Sequence, residues 1–326
     1  MRYSLTLNDP DDGTSVVWQF MWGVQSGTLV NERLWLAKPG IPPREVFRYN
    51  RREGFRSEAG SELKGLLPKS SMLTMIDIST ISKDDDILRN VVDWARRITS
   101  LELLSPVAMR GSTRGTTKGI GVRGQSLAGF LAALDSKTRE KIVSRLADFY
   151  PLESLSTTRK RAGWVDLKIA ESYGIGNVGA AHVSDGFLRL LALAAIPEFG
   201  HRSSMVLLDE IEDGIEPHIL PRIIERIVED SDSQFVMTSH SPLLINFFSP
   251  EDVALVARTT DGHSMMRRLI ELDAIKEGAE YLGGGEIWAN TGLSTLNDQM
   301  LRHHAAAEDA NVVFSEQGAE RELSRS

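Results

Sequence analysis

Two short apolar runs constrain this chain more than any other feature. Residues 205–210 read MVLLDE, and residues 234–242 read QFVMTSHSP. A strand with one wet face alternates apolar and polar residues, whereas a strand covered on both faces reads as an unbroken apolar run. The stretch between them, from about residue 217 to 229, has the spacing of an amphipathic helix. Strand, helix, strand in that order implies a right-handed βαβ unit with parallel strands, so the fold class is α/β. Asp209 and Glu210 then emerge at the carboxyl end of the first strand and His240 at that of the second. Open α/β sheets bind their ligands at that end.

Around this unit the chain is expected to divide into four regions. Residues 1–60 are β-rich: YSLTLN, SVVWQFMW, TLVNERLWLA and EVFRYN are separated by Asp-Asp-Gly, Ser-Gly and Pro-Gly, the spacing of an antiparallel meander. Residues 61–160 read as a helical insertion, in which Ile87, Val91, Val92, Trp94 and Ala95 share a face and Ser136 is the expected cap of a later helix. Inside it, RGSTRGTTKGIGVRG at 110–124 carries Arg110, Arg114, Lys118 and Arg123 with no acid, and reads as a flexible basic loop. Residues 161–270 hold a strand at 164–173, a helix after Ser184, the βαβ unit, and a hairpin turning at Asp261-Gly262. Residues 271–326 form an extension whose end, from about Arg302, is polar and frayed.

Composition removes several classes. The chain has no cysteine, which excludes disulfides, thiolate metal sites and cysteine nucleophiles. Its net charge of −8 does not support an overall basic nucleic-acid binder, although local basic patches remain open. The most apolar stretch, FLRLLALAAI at 187–196, is too short to span a bilayer and contains Arg189, and the start lacks an apolar signal core. The expectation is a cytoplasmic chain with no membrane partner.

Adjacent carboxylates at a strand end suit nucleotide hydrolysis, where the first holds Mg²⁺ and the second polarises the attacking water. An imidazole beside them is placed to contact a γ-phosphate. Ser184 is a natural helix cap, and Asp185 and Gly186 open a helix whose free N–H groups attract an anion. Gly174 to Gly179 matches G-x-G-x-x-G after a strand, but the helix starts several residues later, which argues against a dinucleotide site.

The order Ser184-Asp185-Gly186, Asp209-Glu210, Glu212-Asp213-Gly214 and His240 resembles ABC-type ATPases. It looks most like the SMC-like branch of prokaryotic AAA-type ATPases, which includes the overcoming-lysogenization-defect proteins. The likeness is strongest over residues 164–248, and RGQSLAGFLAAL and GGGEIWANTG also look like the family. The resemblance implies a P-loop NTPase of the ABC head type, with ATP and Mg²⁺ as cofactors. Ser184-Asp185-Gly186 matches the signature motif, Asp209 the Walker B Mg²⁺ ligand and Glu210 the catalytic Glu. Asp213 and Gly214 fall in the D-loop, and His240 is the switch His. It also implies ATP sandwiched in a dimer, either a homodimer or a pairing with an intact ATPase subunit.

The departures from the family are equally specific. No G-x-x-x-x-G-K-[ST] occurs in the 326 residues, and Glu216-Pro217 stands where relatives often have His-Pro. The Walker A strand, loop and helix are therefore expected ahead of Met1, lost by truncation, a misplaced start or a split gene, or else supplied by a partner in trans. The alternative reading is a catalytically incomplete scaffold or DNA-associated module, meeting DNA through Arg110, Arg114, Lys118 and Arg123, with Arg159–Arg161 nearby. Such ATPases commonly act on DNA or in phage defence. A nuclease domain does not fit in the residues after 258. A metal hydrolase built on Asp209, Glu210 and Glu212 is a third reading.

Overall fold

A computed structural model describes residues 2–8, 13–58, 62–63, 68–77, 79, 86–102, 104–173, 176–258, 264–273, 275, 283–292 and 294–301. The chain forms two compact units, Met1–Thr99 with His201–Val206, and Ser100–Gly200 with Leu207–Ser326.

The first unit is a six-stranded antiparallel meander in sequence order, β1 (Arg2–Asn8), β2 (Ser15–Gly23), β3 (Thr28–Lys38), β4 (Ile41–Asn50), β5 (Gly54–Ser57) and β6 (Glu62–Leu63). Strand alternation buries Glu32, Leu34 and Leu36 on one face of β3. Helix α1 (Asp86–Arg96) buries Leu88, Val91 and Val92 in the same core as Leu29, Phe47 and Tyr49. Glu32 is a carboxylate at a core position. It accepts hydrogen bonds from Trp18 Nε1 (2.7 Å), Ser71 Oγ (2.5 Å) and the Met72 N–H (2.6 Å). Burial still raises its pKa above the usual value, against the lowering effect of those donors.

The remaining elements, in chain order, are β7 (Ile98–Leu101), α2 (Pro106–Met109), β8 (Thr113–Arg114), α3 (Leu127–Ala133), α4 (Ser136–Leu146), β9 (Leu152–Arg159), β10 (Trp164–Glu171), β11 (Asn177–Gly179), α5 (Asp185–Ala194), β12 (Met205–Leu208), α6 (Leu220–Glu229), β13 (Gln234–Met237), α7 (Pro242–Ile245), β14 (Ala254–Arg258), β15 (Ser264–Arg268) and α8 (Gly284–Asn290). The central sheet has the order β13-β12-β7. The Thr238 N–H donates to Leu208 C=O and the Ile211 N–H to Thr238 C=O, so β12 and β13 run in the same direction, as the βαβ reading requires. A second, antiparallel sheet is centred on β10, with β9 along one edge and β8 and β11 sharing the other. Helix α5 is apolar nearly all round because it is buried nearly all round. Beside it the buried Arg145 guanidinium binds Glu198 (2.7 Å), Asp230 (2.5 Å) and Ala194 C=O (3.0 Å).

Several expectations need correction. The stretch expected to be helical, 61–160, contains β6, β7, which completes the central sheet, β8, and the eight-residue β9. Asp135, not Ser136, caps α4, because its carboxylate reaches the Thr138 N–H at 2.7 Å. The basic segment 110–124 is not a free loop: it holds β8, and Gly115 donates to Gly163 C=O at 2.8 Å. The hairpin β14–β15 is present with Val256 opposite Met266, while its turn at Asp261-Gly262 and the tail from Arg302 lie outside the described residues. Among the described residues no helix is long and apolar enough to cross a membrane.

Candidate functional site

Strand β12 ends at Leu208, which is buried, and the next two residues, Asp209 and Glu210, are exposed. The strand end is tied to its neighbour by one hydroxyl. Thr238 Oγ1 donates to Asp209 Oδ1 at 2.5 Å and accepts the Glu210 N–H at 2.9 Å. Glu210 has left-handed backbone, with φ of 49°. For a residue with a Cβ this costs about 1–2 kcal/mol. The surrounding bonds impose it: Asp213 N–H donates to Glu210 C=O (3.0 Å) and Ile211 N–H to Thr238 C=O (3.2 Å). Strain held in place this way aims a side chain and is common at functional sites.

His240 follows β13 by three residues and is exposed. Its backbone N–H donates to Glu212 Oε1 at 2.6 Å, so the acidic turn after β12 anchors the segment that carries the imidazole. The other carboxylate oxygen of Glu212 is buried and has no hydrogen-bond partner.

Helix α5 brings the third element. Ser184 Oγ accepts the Phe187 N–H at 3.2 Å, as a cap should. Asp185 is ion-paired with Arg110 at 2.6 Å, and Arg110 also donates to Val183 C=O at 2.8 Å. Gly186 lies against the acidic turn: a Cβ there would stand 2.8 Å from Gly214 C=O. Gly214 itself has φ of 63°, and a Cβ on it would stand 1.9 Å from an Arg189 nitrogen. Arg189 explains the crowding. It is held by Asp213 at 2.6 Å and donates to Leu104 C=O at 3.0 Å, joining α5, the acidic turn and the segment after β7. A shallow pocket lined by Glu102, Arg189, Asp209, Glu210 and Asp213 lies at this junction.

The structure thus brings Asp209, Glu210 and His240 to one end of the central sheet, and it links Ser184-Asp185-Gly186 to the same acidic turn. Two expected ligand contacts are occupied from within, because Asp185 is taken by Arg110 and Asp213 by Arg189. Arg123 is similarly paired with Glu102 at 3.1 Å, so two of the four cations assigned to DNA are committed. Of the G-x-G-x-x-G segment, Gly174 and Ile175 lie outside the described residues, and Asn177–Gly179 forms β11, which pairs antiparallel with β10. Among the described residues no three His, Cys, Asp or Glu side chains converge as a metal site, so Asp209, Glu210 and Glu212 do not form a three-carboxylate centre.

Sequence reasoning missed Thr238 and Arg189. A lone arginine in the otherwise apolar run FLRLLALAAI was the available signal for the second, since a buried charge needs a partner. Thr238 carried none.

The family model described as "AAA domain, putative AbiEii toxin, Type IV TA system" matches residues 1–246. Among solved structures, an Smc head bound to the C-winged helix domain of ScpA matches at 12% identity and a TM-score of 0.42, covering 80% of this chain and 76% of that one. An Smc head domain with a coiled coil and joint, derived from Pyrococcus yayanosii, matches at 20% identity and a TM-score of 0.34, covering 49% and 32%. No curated protein matches.

Proposed function

The chain belongs to this AAA domain family, with the α/β fold of a P-loop ATPase, and on that premise we propose that it is an ATPase chain carrying the hydrolytic half of its own site. One observation carries the reading. Two exposed carboxylates sit at the end of a parallel strand, one on strained backbone, with an imidazole at the end of the next strand.

The donor set fits a hard divalent cation, which takes oxygen ligands. Thr238 occupies Asp209 Oδ1 and leaves Oδ2 for a metal-bound water. The buried oxygen of Glu212 without a partner is a further acceptor under His240. Bound Mg-ATP would supply the phosphoanhydride and the charge neutralisation that its cleavage requires. In this reading Asp209 orients the cation's water shell, Glu210 takes the proton of the attacking water, and His240 donates to the terminal phosphate. Ser184-Asp185-Gly186 at the start of α5 presents N–H groups to a nucleotide held by a second subunit.

The residues do not fit a complete nucleotide cradle. A phosphate loop supplies backbone N–H groups and a lysine to the β- and γ-phosphates, and no G-x-x-x-x-G-K-[ST] occurs in the 326 residues. In this reading the loop is supplied in trans by an intact ATPase subunit paired with this chain. Mixing tests this. Added to a relative that has a phosphate loop, the chain changes the relative's ATPase rate, and Ser184→Arg removes the change. An unchanged rate contradicts the reading.

A further inference from the structure

The basic residues gather on a face that the ATPase reading does not use. In the antiparallel sheet centred on β10, Val165, Leu167 and Ile169 are buried, so Trp164, Asp166 and Lys168 point away from the core. Trp164 is 43% exposed. Its cross-strand partner is the exposed Arg114 of β8, which puts a guanidinium and an indole side by side on one surface. The turn from β9 to β10 adds exposed Lys160 and Arg161, and it is drawn tight by the Lys160 N–H to Trp164 C=O bond of 2.7 Å.

The local charge runs against the whole molecule. The protein carries −8 overall, yet Arg114 opposite Trp164, Lys160 and Arg161 in the turn beside it, and Lys168 further along the same face of β10 are all cations, while Arg159, opposite the buried Val165, lies on the other face. Among the described residues Asp166 is the one carboxylate on the outward face of β10 between Trp164 and Lys168. It is already neutralised by an ion pair with Lys160 and by the Ser112 hydroxyl at 2.5 Å. Arg110 and Arg123, two further cations of the basic segment, are paired with Asp185 and Glu102.

We propose that this face, Trp164 with Arg114, Arg161 and Lys168, binds single-stranded nucleic acid, the cations meeting phosphates and Trp164 stacking on an unpaired base. An exposed aromatic within a basic stripe is the surface such strands recognise, since every base has a stackable face and every linkage a negative charge. The inference does not depend on the ATPase reading.

The test is binding of the full chain to a fluorescein-labelled oligo-dT at several salt concentrations, followed by anisotropy and by Trp164 fluorescence. Affinity falls as salt rises, with a log–log slope of about −0.7 per phosphate neutralised. Replacing Arg114 and Arg161 together by Gln weakens binding at least about tenfold at moderate salt and flattens that slope. Trp164→Ala weakens it about tenfold, and Trp164→Phe restores most of the loss. These side chains are exposed, and unchanged thermal melts verify that the variants fold. The proposal is overturned if the oligonucleotide does not bind, or if the double variant binds as the parent does. Preference for duplex with no effect of Trp164→Ala, or equal affinity for inorganic polyphosphate, overturns it as well.

Discussion

Among the described residues each of the two units buries one charged side chain, and they use it differently. In the first, Glu32 lies inside a meander whose neighbours in space are neighbours in sequence, and its three donors all come from that unit. In the second, Arg145 binds Glu198, Asp230 and Ala194 C=O, pinning segments 49 to 85 residues away. That unit also leaves the carboxylates of Asp209 and Glu210 exposed. A meander can be held by local turns and one buried acceptor. The segments 104–110, 184–189, 209–216 and 238–240 at the end of β12 are distant in sequence, and side-chain bonds from Arg110, Arg189 and Thr238 tie them together.

The sharpest break in the comparison is expected from Arg145→Ala. It strands Glu198 among apolar neighbours and costs about 3–5 kcal/mol, read as a lower urea midpoint. Glu32→Ala leaves the Trp18 indole, the Ser71 hydroxyl and the Met72 N–H without their acceptor, at about 2–4 kcal/mol. Glu32 also carries a pH signature. Burial raises its pKa, so between the ordinary carboxylate value and that raised value the folded state holds more protons than the unfolded state. Stability therefore falls as pH rises through this window and levels off above it, and Glu32→Gln removes that slope from pH-dependent denaturation curves.

Smaller effects separate the frame from the chemistry. Gly186→Ala drives a Cβ toward Gly214 C=O and is expected to cost about 1–3 kcal/mol. In the chain mixed with a loop-bearing relative, it also loses its effect on the ATPase rate. Smallest in stability is Glu210→Gly, which relieves left-handed strain and is neutral or stabilising by up to about 1 kcal/mol. A stable variant that has lost its influence on ATP turnover is the expected outcome there, and a clear loss of stability would contradict the strain argument.

Legibility in the sequence followed the range of the interactions. The meander was readable because alternation and turn residues are local signals. The βαβ unit was readable because two short apolar runs flank an amphipathic helix, although only β12 is covered on both faces; β13 lies at the sheet edge with Val236 exposed. The cap at Ser184 was readable because it acts over three residues. What stayed hidden was long-range: β7 completing the sheet beside β12, Arg110 claiming Asp185, and Arg189 claiming Asp213. The bridge at Thr238 was equally unreadable, since a threonine after a strand has no distinctive spacing. The basic segment was misread because its composition is that of a loop, while its first and last arginines are committed to carboxylates elsewhere in the second unit.

One measurement bears most directly on the central claim that Asp209, Glu210 and His240 form half of an ATPase site. Mg-dependent ATP hydrolysis is followed for the chain alone, for a loop-bearing relative alone, and for the two mixed, with wild-type chain and with Glu210→Gln. The expected result is little turnover by the chain alone, a raised rate in the mixture, and loss of that increment with Glu210→Gln. A mixture no faster than the relative alone, or an increment that survives Glu210→Gln, would contradict the claim.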